Sequence, residues 1–256
     1  DSSQSGFDGV ADAAKEAMFS GDQFLVTASS GTSSLVTFEL LSNAQQQTVL
    51  GGGSGSYAQG PNPNGQNGLG DGDPTGTVTR VQSLVANPAD SSLFYMVAPD
   101  DDAMFVLSRT GDKTEVMQLL KDGIQGLSSD YDNDLAGAAA VAVSPDGQFV
   151  YVAATRAGEE AGNGKISVYK RTTLGQPSEE IDGLSFVGSF NTSVFNVTGD
   201  NPIVTLAVSP DGKNVYASGA NGLDVYQRDS LTGGLVRVQS HSDSLAGLSF
   251  SENSLA

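Results

Sequence analysis

Pairs of short apolar runs joined by a tight turn recur along this chain. A third run, alternating apolar and polar residues, follows each pair. The pattern is clearest from Ala140 through Ser144-Pro145-Asp146-Gly147 to Val152, and it returns 65 residues later, from Val204 through Ser209-Pro210-Asp211-Gly212 to Tyr216. Proline presets φ at the second position of such a turn. Asp-Gly supplies a side-chain acceptor for the turn's amides and a residue that takes positive φ. Looser copies lie at Ala17–Thr27 and Ser83–Met96, and a further start stands at Leu245–Asn253.

The alternating third strands are expected at Leu35–Leu40, Ala103–Ser108, Lys165–Lys170 and Leu223–Arg228. The last two share a Val-Tyr pair followed closely by a basic residue. Fourth strands are expected at Gln47–Leu50, Glu115–Leu120, Leu184–Phe190 and Leu235–Ser240. Four strands joined by short turns make one antiparallel meander. A single meander cannot cover both of its faces, but copies packed face to face around an axis can. The expectation is therefore an all-β chain: one β-propeller domain over residues 1–256. Its four-stranded antiparallel blades fall at 8–50, 78–120, 135–190 and 200–240, with a partial fifth at 244–256. The first two strands of each blade should be buried. The outer strands, with their Lys, Arg, Gln and Glu, should form an exposed edge. The count leaves three alternatives open: a piece of a larger ring, a ring completed by another chain, or a small or open propeller.

Composition narrows the function classes. Twelve Lys and Arg stand against 30 Asp and Glu, a net charge of −18. A surface this acidic repels phosphate backbones and anionic lipid, so no nucleic-acid partner is expected. No apolar run approaches the roughly 20 residues of a helical membrane span, so direct membrane insertion is not expected. The opening Asp1-Ser2-Ser3-Gln4 has no leader-peptide pattern, as expected of a processed chain or an excised domain. The chain contains no Cys and one His, His241, expected just after a fourth strand. Cysteine-based metal sites are thereby excluded, and no catalytic triad can be assembled from neighbouring residues.

The Ala142-Val143-Ser144-Pro145-Asp146-Gly147 hairpin, the Ile166–Arg171 strand and the Thr232–Gln239 strand resemble the lactonase-type seven-bladed propellers and related surface-layer repeats. The resemblance is close over 135–240, loose over 8–50 and 78–120, and covers little of the long loops. It implies a fold that hosts enzymes, binding modules and scaffolds alike. It also implies that a lactonase would carry acidic and basic residues at the channel mouth, a set that cannot be assigned here residue by residue.

Three long linkers, 51–78, 121–138 and 191–202, each join one blade's last strand to the next blade's first. All should emerge on one face, where propellers usually bind ligands. Asp130, Asp132 and Asp134 alternate along the second linker and could place three carboxylates around Ca²⁺, a cation that takes oxygen ligands from flexible loops. Asp71 and Asp73 form a second such pair, whereas Asp100-Asp101-Asp102 reads as a charged turn. Asn191 and Asn196 head N-x-[ST] sequons and would accept glycans in a eukaryotic secreted protein. No catalytic residue or organic cofactor is expected. The reading is an extracytoplasmic acidic propeller that binds or scaffolds other protein subunits or copies of itself. The alternative is a lactonase-like hydrolase with its site at the channel mouth. For the cation, thermal melting provides the check. Chelation should lower the unfolding midpoint and added Ca²⁺ should restore it, whereas an unchanged midpoint would remove Ca²⁺ from the picture.

Overall fold

The computed structural model describes residues 81–109, 117–121, 135–155, 164–172, 183–192, 194–195, 204–219 and 221–241. It also describes the backbone of the strand residues 14–19, 24–29, 34–42, 48–54, 110, 113–116, 173–174, 181–182 and 242. The described elements are all β-strands. Blade 1 comprises β1 (Ala14–Phe19), β2 (Phe24–Ser29), β3 (Ser34–Ser42) and β4 (Thr48–Ser54). Blade 2 comprises β5 (Ser83–Asn87), β6 (Asp90–Ala98), β7 (Ala103–Thr110) and β8 (Lys113–Lys121). Blade 3 comprises β9 (Ala138–Val143), β10 (Phe149–Ala154), β11 (Gly164–Leu174) and β12 (Ile181–Thr192). Blade 4 comprises β13 (Thr205–Val208), β14 (Asn214–Gly219), β15 (Gly222–Arg228) and β16 (Leu235–Ser242). Each blade is a four-stranded antiparallel meander in chain order. The first strands β1, β5, β9 and β13 lie side by side in succession, as the inner strands of a β-propeller do. The partial blade expected at 244–256 lies outside the described residues.

The turn chemistry read from the sequence is present in atomic detail. In blade 3 the Gly147 N–H donates to Ser144 O at 2.8 Å, closing the turn, and Gly147 takes φ of 68°. The Gln148 N–H donates to Asp146 Oδ1 at 3.0 Å, and the Phe149 N–H to Ser144 Oγ at 2.9 Å. Blade 4 repeats every one of these contacts at Ser209, Asp211, Gly212, Lys213 and Asn214. Identical local sequence thus produces identical local geometry in two different surroundings.

Packing follows from the strand period of two. On β10, Phe149, Tyr151 and Ala153 face blade 4 and pack with Leu206, Val215, Ala217 and Tyr226. The intervening Val150 and Val152 face blade 2 and pack with Tyr95, Val97, Met104 and Val106. Blade 2 is built the same way, with Phe94, Met96 and Phe105 on the face turned from blade 3. Small residues fill β9, Ala138-Ala139-Ala140-Val141-Ala142, where it lies between β5 and β13.

Burial does not stop at the second strand, contrary to the sequence-based expectation. Met104 to Leu107 on β7 and Ile166 to Tyr169 on β11 are buried as completely as β6 and β10. Polar residues of the outer strands are also drawn in. Gln118 on β8 accepts from the Leu184 N–H at 2.7 Å and donates to Leu184 O at 3.1 Å, bridging the fourth strands of blades 2 and 3. Alternation therefore marks a face that touches the next blade, and that face need not meet water.

Gly147 marks how closely neighbouring turns nest. A Cβ there would stand 2.2 Å from Asn87 Oδ1 and 2.7 Å from Ala89 Cβ, on a backbone already at positive φ. Asn87 meanwhile donates to Gly147 O at 3.0 Å, so the same side chain cannot simply swing away. Gly147→Ala is expected to lower stability by about 2–4 kcal/mol. Gly188→Ala, whose Cβ meets nothing within 4 Å, should change it by less than about 1 kcal/mol. Denaturant melts of the two variants check this contrast.

Candidate functional site

Antiparallel order places the turns between first and second strands, and those between third and fourth, at one end of each blade. The turns between second and third strands share the other end with the connections between blades. Charged side chains collect at both ends of the interface between blades 3 and 4.

At the first end stands Arg228, the last residue of β15, with only 2 % of its side chain exposed. Its backbone N–H donates to Lys213 O at 2.8 Å, which fixes it beside its own blade's turn. The guanidinium then spans to the preceding blade. Nε donates to Tyr151 Oη at 2.7 Å, Nη1 to Gly212 O at 2.9 Å and Nη2 to Asp146 Oδ2 at 3.2 Å. The cation lies 5.1 Å from the Phe149 ring centre, within the range of a cation–π contact. Tyr151 passes the network on by donating to Gly233 O at 3.1 Å. Burial pushes the Tyr151 hydroxyl up to about 12, against the opposing pull of the Arg228 charge. Burial would also raise the Asp146 carboxyl. Hydrogen bonds from Ser144, Gln148 and Arg228 outweigh it and hold the group below its ordinary value.

Blades 2 and 3 meet in the same way. Arg171, at the same register on β11, donates through Nη2 to Asp90 Oδ2 at 2.9 Å. Its N–H is tied to Gln148 O as that of Arg228 is to Lys213 O. Asp90 is held low against burial by Ser92 and Arg171. Beside it Asn87 donates to Tyr95 Oη at 3.1 Å. These arginines are the basic residues that follow the Val-Tyr pairs. They clasp one blade to the next and are not the exposed edge charges expected from alternation.

At the opposite end, Asp224 on β15 is fully buried. Its Oδ2 accepts from Thr192 Oγ1 at 2.9 Å and from Tyr226 Oη at 3.1 Å, and lies 3.5 Å from Arg237 Nη1. Its Oδ1 has no hydrogen-bond partner among the described residues. Burial first, then the Asp224 charge, pushes the Tyr226 hydroxyl up to about 12, against the Thr192 hydrogen bond. The Asp100-Asp101-Asp102 turn also lies at this end and is more than a solvated charged turn. Asp101 is buried. Asp102 takes φ of 51° and accepts from the Gly137 N–H at 2.7 Å, which pins blade 2 to the entry of blade 3.

A cleft of about 500 Å³ opens beside Arg228, lined by Phe190 of β12 and by Asp229, Leu235 and Val236 of the β15–β16 hairpin. The same hairpin presents Leu231, Val236 and Val238 to solvent, 82 %, 65 % and 51 % exposed. The expected cation ligands Asp130, Asp132, Asp134, Asp71 and Asp73 lie outside the described residues, as does Asn196. Asn191 is exposed near the end of β12. His241 lies within β16, paired with Leu223, and not beyond the strand as expected.

No family model and no curated protein matches the chain. Solved structures do share its fold. A candidate 6-phosphogluconolactonase from Bacteroides uniformis superposes with a TM-score of 0.58 at 16% identity, covering 90% of this chain and 55% of that one. The periplasmic gluconolactonase of Pseudomonas aeruginosa gives a TM-score of 0.56 at 18% identity, covering 90% and 54%. The chain thus spans about half the length of these structures. Their likeness identifies the fold as the lactonase-type β-propeller.

The clasp has a pH signature. A carboxyl whose pKa is lower in the folded state than its ordinary 3.8 stabilises the fold above that value. The contribution is lost as pH falls through the folded pKa. Stability should therefore decline below about pH 4, and Asp146→Asn should lose part of that decline. Arg228→Leu, which leaves Tyr151 and Gly212 O without their buried donor, should lower stability by about 2–4 kcal/mol at neutral pH. Denaturant melts from pH 3 to pH 7 check both expectations.

Proposed function

We propose that this chain is an extracytoplasmic acidic propeller that serves as a protein-binding or scaffold module. The observation that carries this reading is the hairpin of blade 4, where Leu231, Val236 and Val238 stand in solvent beside an open cleft. Apolar side chains clustered on one element, with acidic and polar neighbours, are the usual composition of a surface that another protein covers. The net charge of −18 favours a partner whose contacting rim is neutral or basic. The extracytoplasmic placement draws on the acidic composition and on a fold shared with a periplasmic gluconolactonase. Ca²⁺ at Asp130, Asp132 and Asp134 and glycans at Asn191 and Asn196 remain proposals of the same kind.

A second reading, lactone hydrolysis, draws on the lactonase-type fold and on buried charge at the end where the blade connections emerge, above all Asp224, whose Oδ1 has no partner among the described residues. It predicts turnover of gluconolactone above the spontaneous rate, lost in Asp224→Asn. A rate indistinguishable from buffer would end it.

The binding reading predicts that the uncovered face associates with itself when concentrated. Light scattering should show a mass above 26.2 kDa that grows with concentration. Val236→Ser with Val238→Ser should bring it down to the monomer while moving stability by less than about 0.5 kcal/mol. A monomer at every concentration, in both proteins, would count against the reading.

A further inference from the structure

The clasp between blades is a repeated device with two halves. One half belongs to the preceding blade: a carboxylate at the turn between its first and second strands, and a tyrosine on its second strand facing the following blade. Blade 2 supplies Asp90 and Tyr95, and blade 3 supplies Asp146 and Tyr151. The other half belongs to the following blade: an arginine one residue beyond the partner of the second strand's first paired residue. Phe149 pairs with Lys170, and Arg171 follows. Asn214 pairs with Gln227, and Arg228 follows.

Blade 4 carries the first half again. Asp211 holds its turn as Asp146 does, and Tyr216 occupies the register of Tyr151, opposite Val225 as Tyr151 is opposite Val168. Val215 and Ala217 face blade 3, so Asn214, Tyr216 and Ser218 face away from it. The Asp211 carboxylate meets Lys213 of its own turn at 3.5 Å, both side chains being largely exposed, where Asp146 meets Arg228. Tyr216 is half-buried where Tyr151 is fully enclosed.

We propose that the outward face of blade 4 is a socket for a further blade of this same repeat, whose third strand ends in an arginine that clasps Asp211 and Tyr216. This deepens the binding reading above, on which it rests, by naming the partner. The occupant is not the first blade of a second copy. In blade 1, Phe24 pairs with Glu39, so the arginine position falls to Leu40, which cannot supply the cation. Blades 2, 3 and 4 carry Arg109, Arg171 and Arg228 at that position. Asn214 replaces Phe149 in the new socket. The incoming guanidinium therefore meets an amide oxygen where Arg228 meets a ring, as suits a contact with more water in it.

The test inserts a second copy of residues 193–242 between Ser242 and Asp243 of the full chain. The inserted blade brings its own equivalent of Arg228 to Asp211. Thermal melting and limited proteolysis are then followed in four forms: unaltered, Asp211→Asn, Arg228→Leu in the inserted copy only, and both changes together. The clasp predicts a protease-resistant insert and a midpoint raised by about 3 °C or more. It also predicts that either single change removes most of the gain and that the double change removes little more. A gain that survives both changes, or losses that simply add, would overturn the clasp and leave the binding face standing. An insert that is digested and brings no gain would overturn both.

Discussion

Everything in this structure depends on the two-sidedness of its sheets. A blade such as β9–β12 is apolar on both faces: Phe149, Tyr151 and Ala153 point one way, Val150 and Val152 the other. Burying a large side chain completely contributes about 1.5–3 kcal/mol, and each face carries several. A half-exposed ion pair contributes at most about 1 kcal/mol. Apolar stacking therefore decides that blades associate. The arginines decide how. Area burial is indifferent to small slides of one sheet over another, whereas Arg228 satisfies Tyr151, Gly212 O and Asp146 at once in one relative placement only.

The same division explains what the sequence revealed and what it hid. The turn at Ser144-Pro145-Asp146-Gly147 was legible because its geometry is local; proline, aspartate and glycine each act within four residues. Blade architecture was legible because it repeats that local unit. The clasp was not, although the basic residue after each Val-Tyr pair was visible. Alternation records which residues leave the sheet on which side, but not whether water or another sheet lies there. Arg228 and Gln118 read as edge polarity, and both are buried between blades. The distinguishing signal was the pairing in register of a turn aspartate in one repeat with a strand-end arginine in the next. Asp102 was hidden for the same reason, since its partner at Gly137 belongs to the connection into another blade.

The two ends of the blades are held by different chemistry. At the end bearing Ser-Pro-Asp-Gly, the turns of blades 3 and 4 are closed by their own side chains, and that of blade 3 is also clasped to blade 4, so the shape of these turns is over-determined. At the other end, Asp102 accepts from the Gly137 N–H, Thr155 Oγ1 donates to Gly137 O at 3.0 Å, and Asp224 gathers Thr192, Tyr226 and Arg237. Asp224 keeps one oxygen without a partner among the described residues. A buried carboxylate oxygen left unmatched costs free energy unless something polar reaches it. The long connections emerge at this end, where a scaffold fixed from the opposite end can vary its loops without disturbing the stacking.

Blade 4 shows how the sheet adapts when no described neighbour covers it. Against Phe149-Val150-Tyr151-Val152-Ala153-Ala154 in β10, β14 reads Asn214-Val215-Tyr216-Ala217-Ser218-Gly219. The positions facing blade 3 stay apolar or small. Of the outward-facing ones, Phe149 has become Asn214 and Ala153 has become Ser218, while the tyrosine is kept. A solvent face selected only for solubility has no reason to keep the tyrosine or the exposed Val236 and Val238. Mixed polarity around a kept aromatic is the composition of surfaces that must tolerate water and still recognise a partner. The proposed contact with a further blade would use such a face.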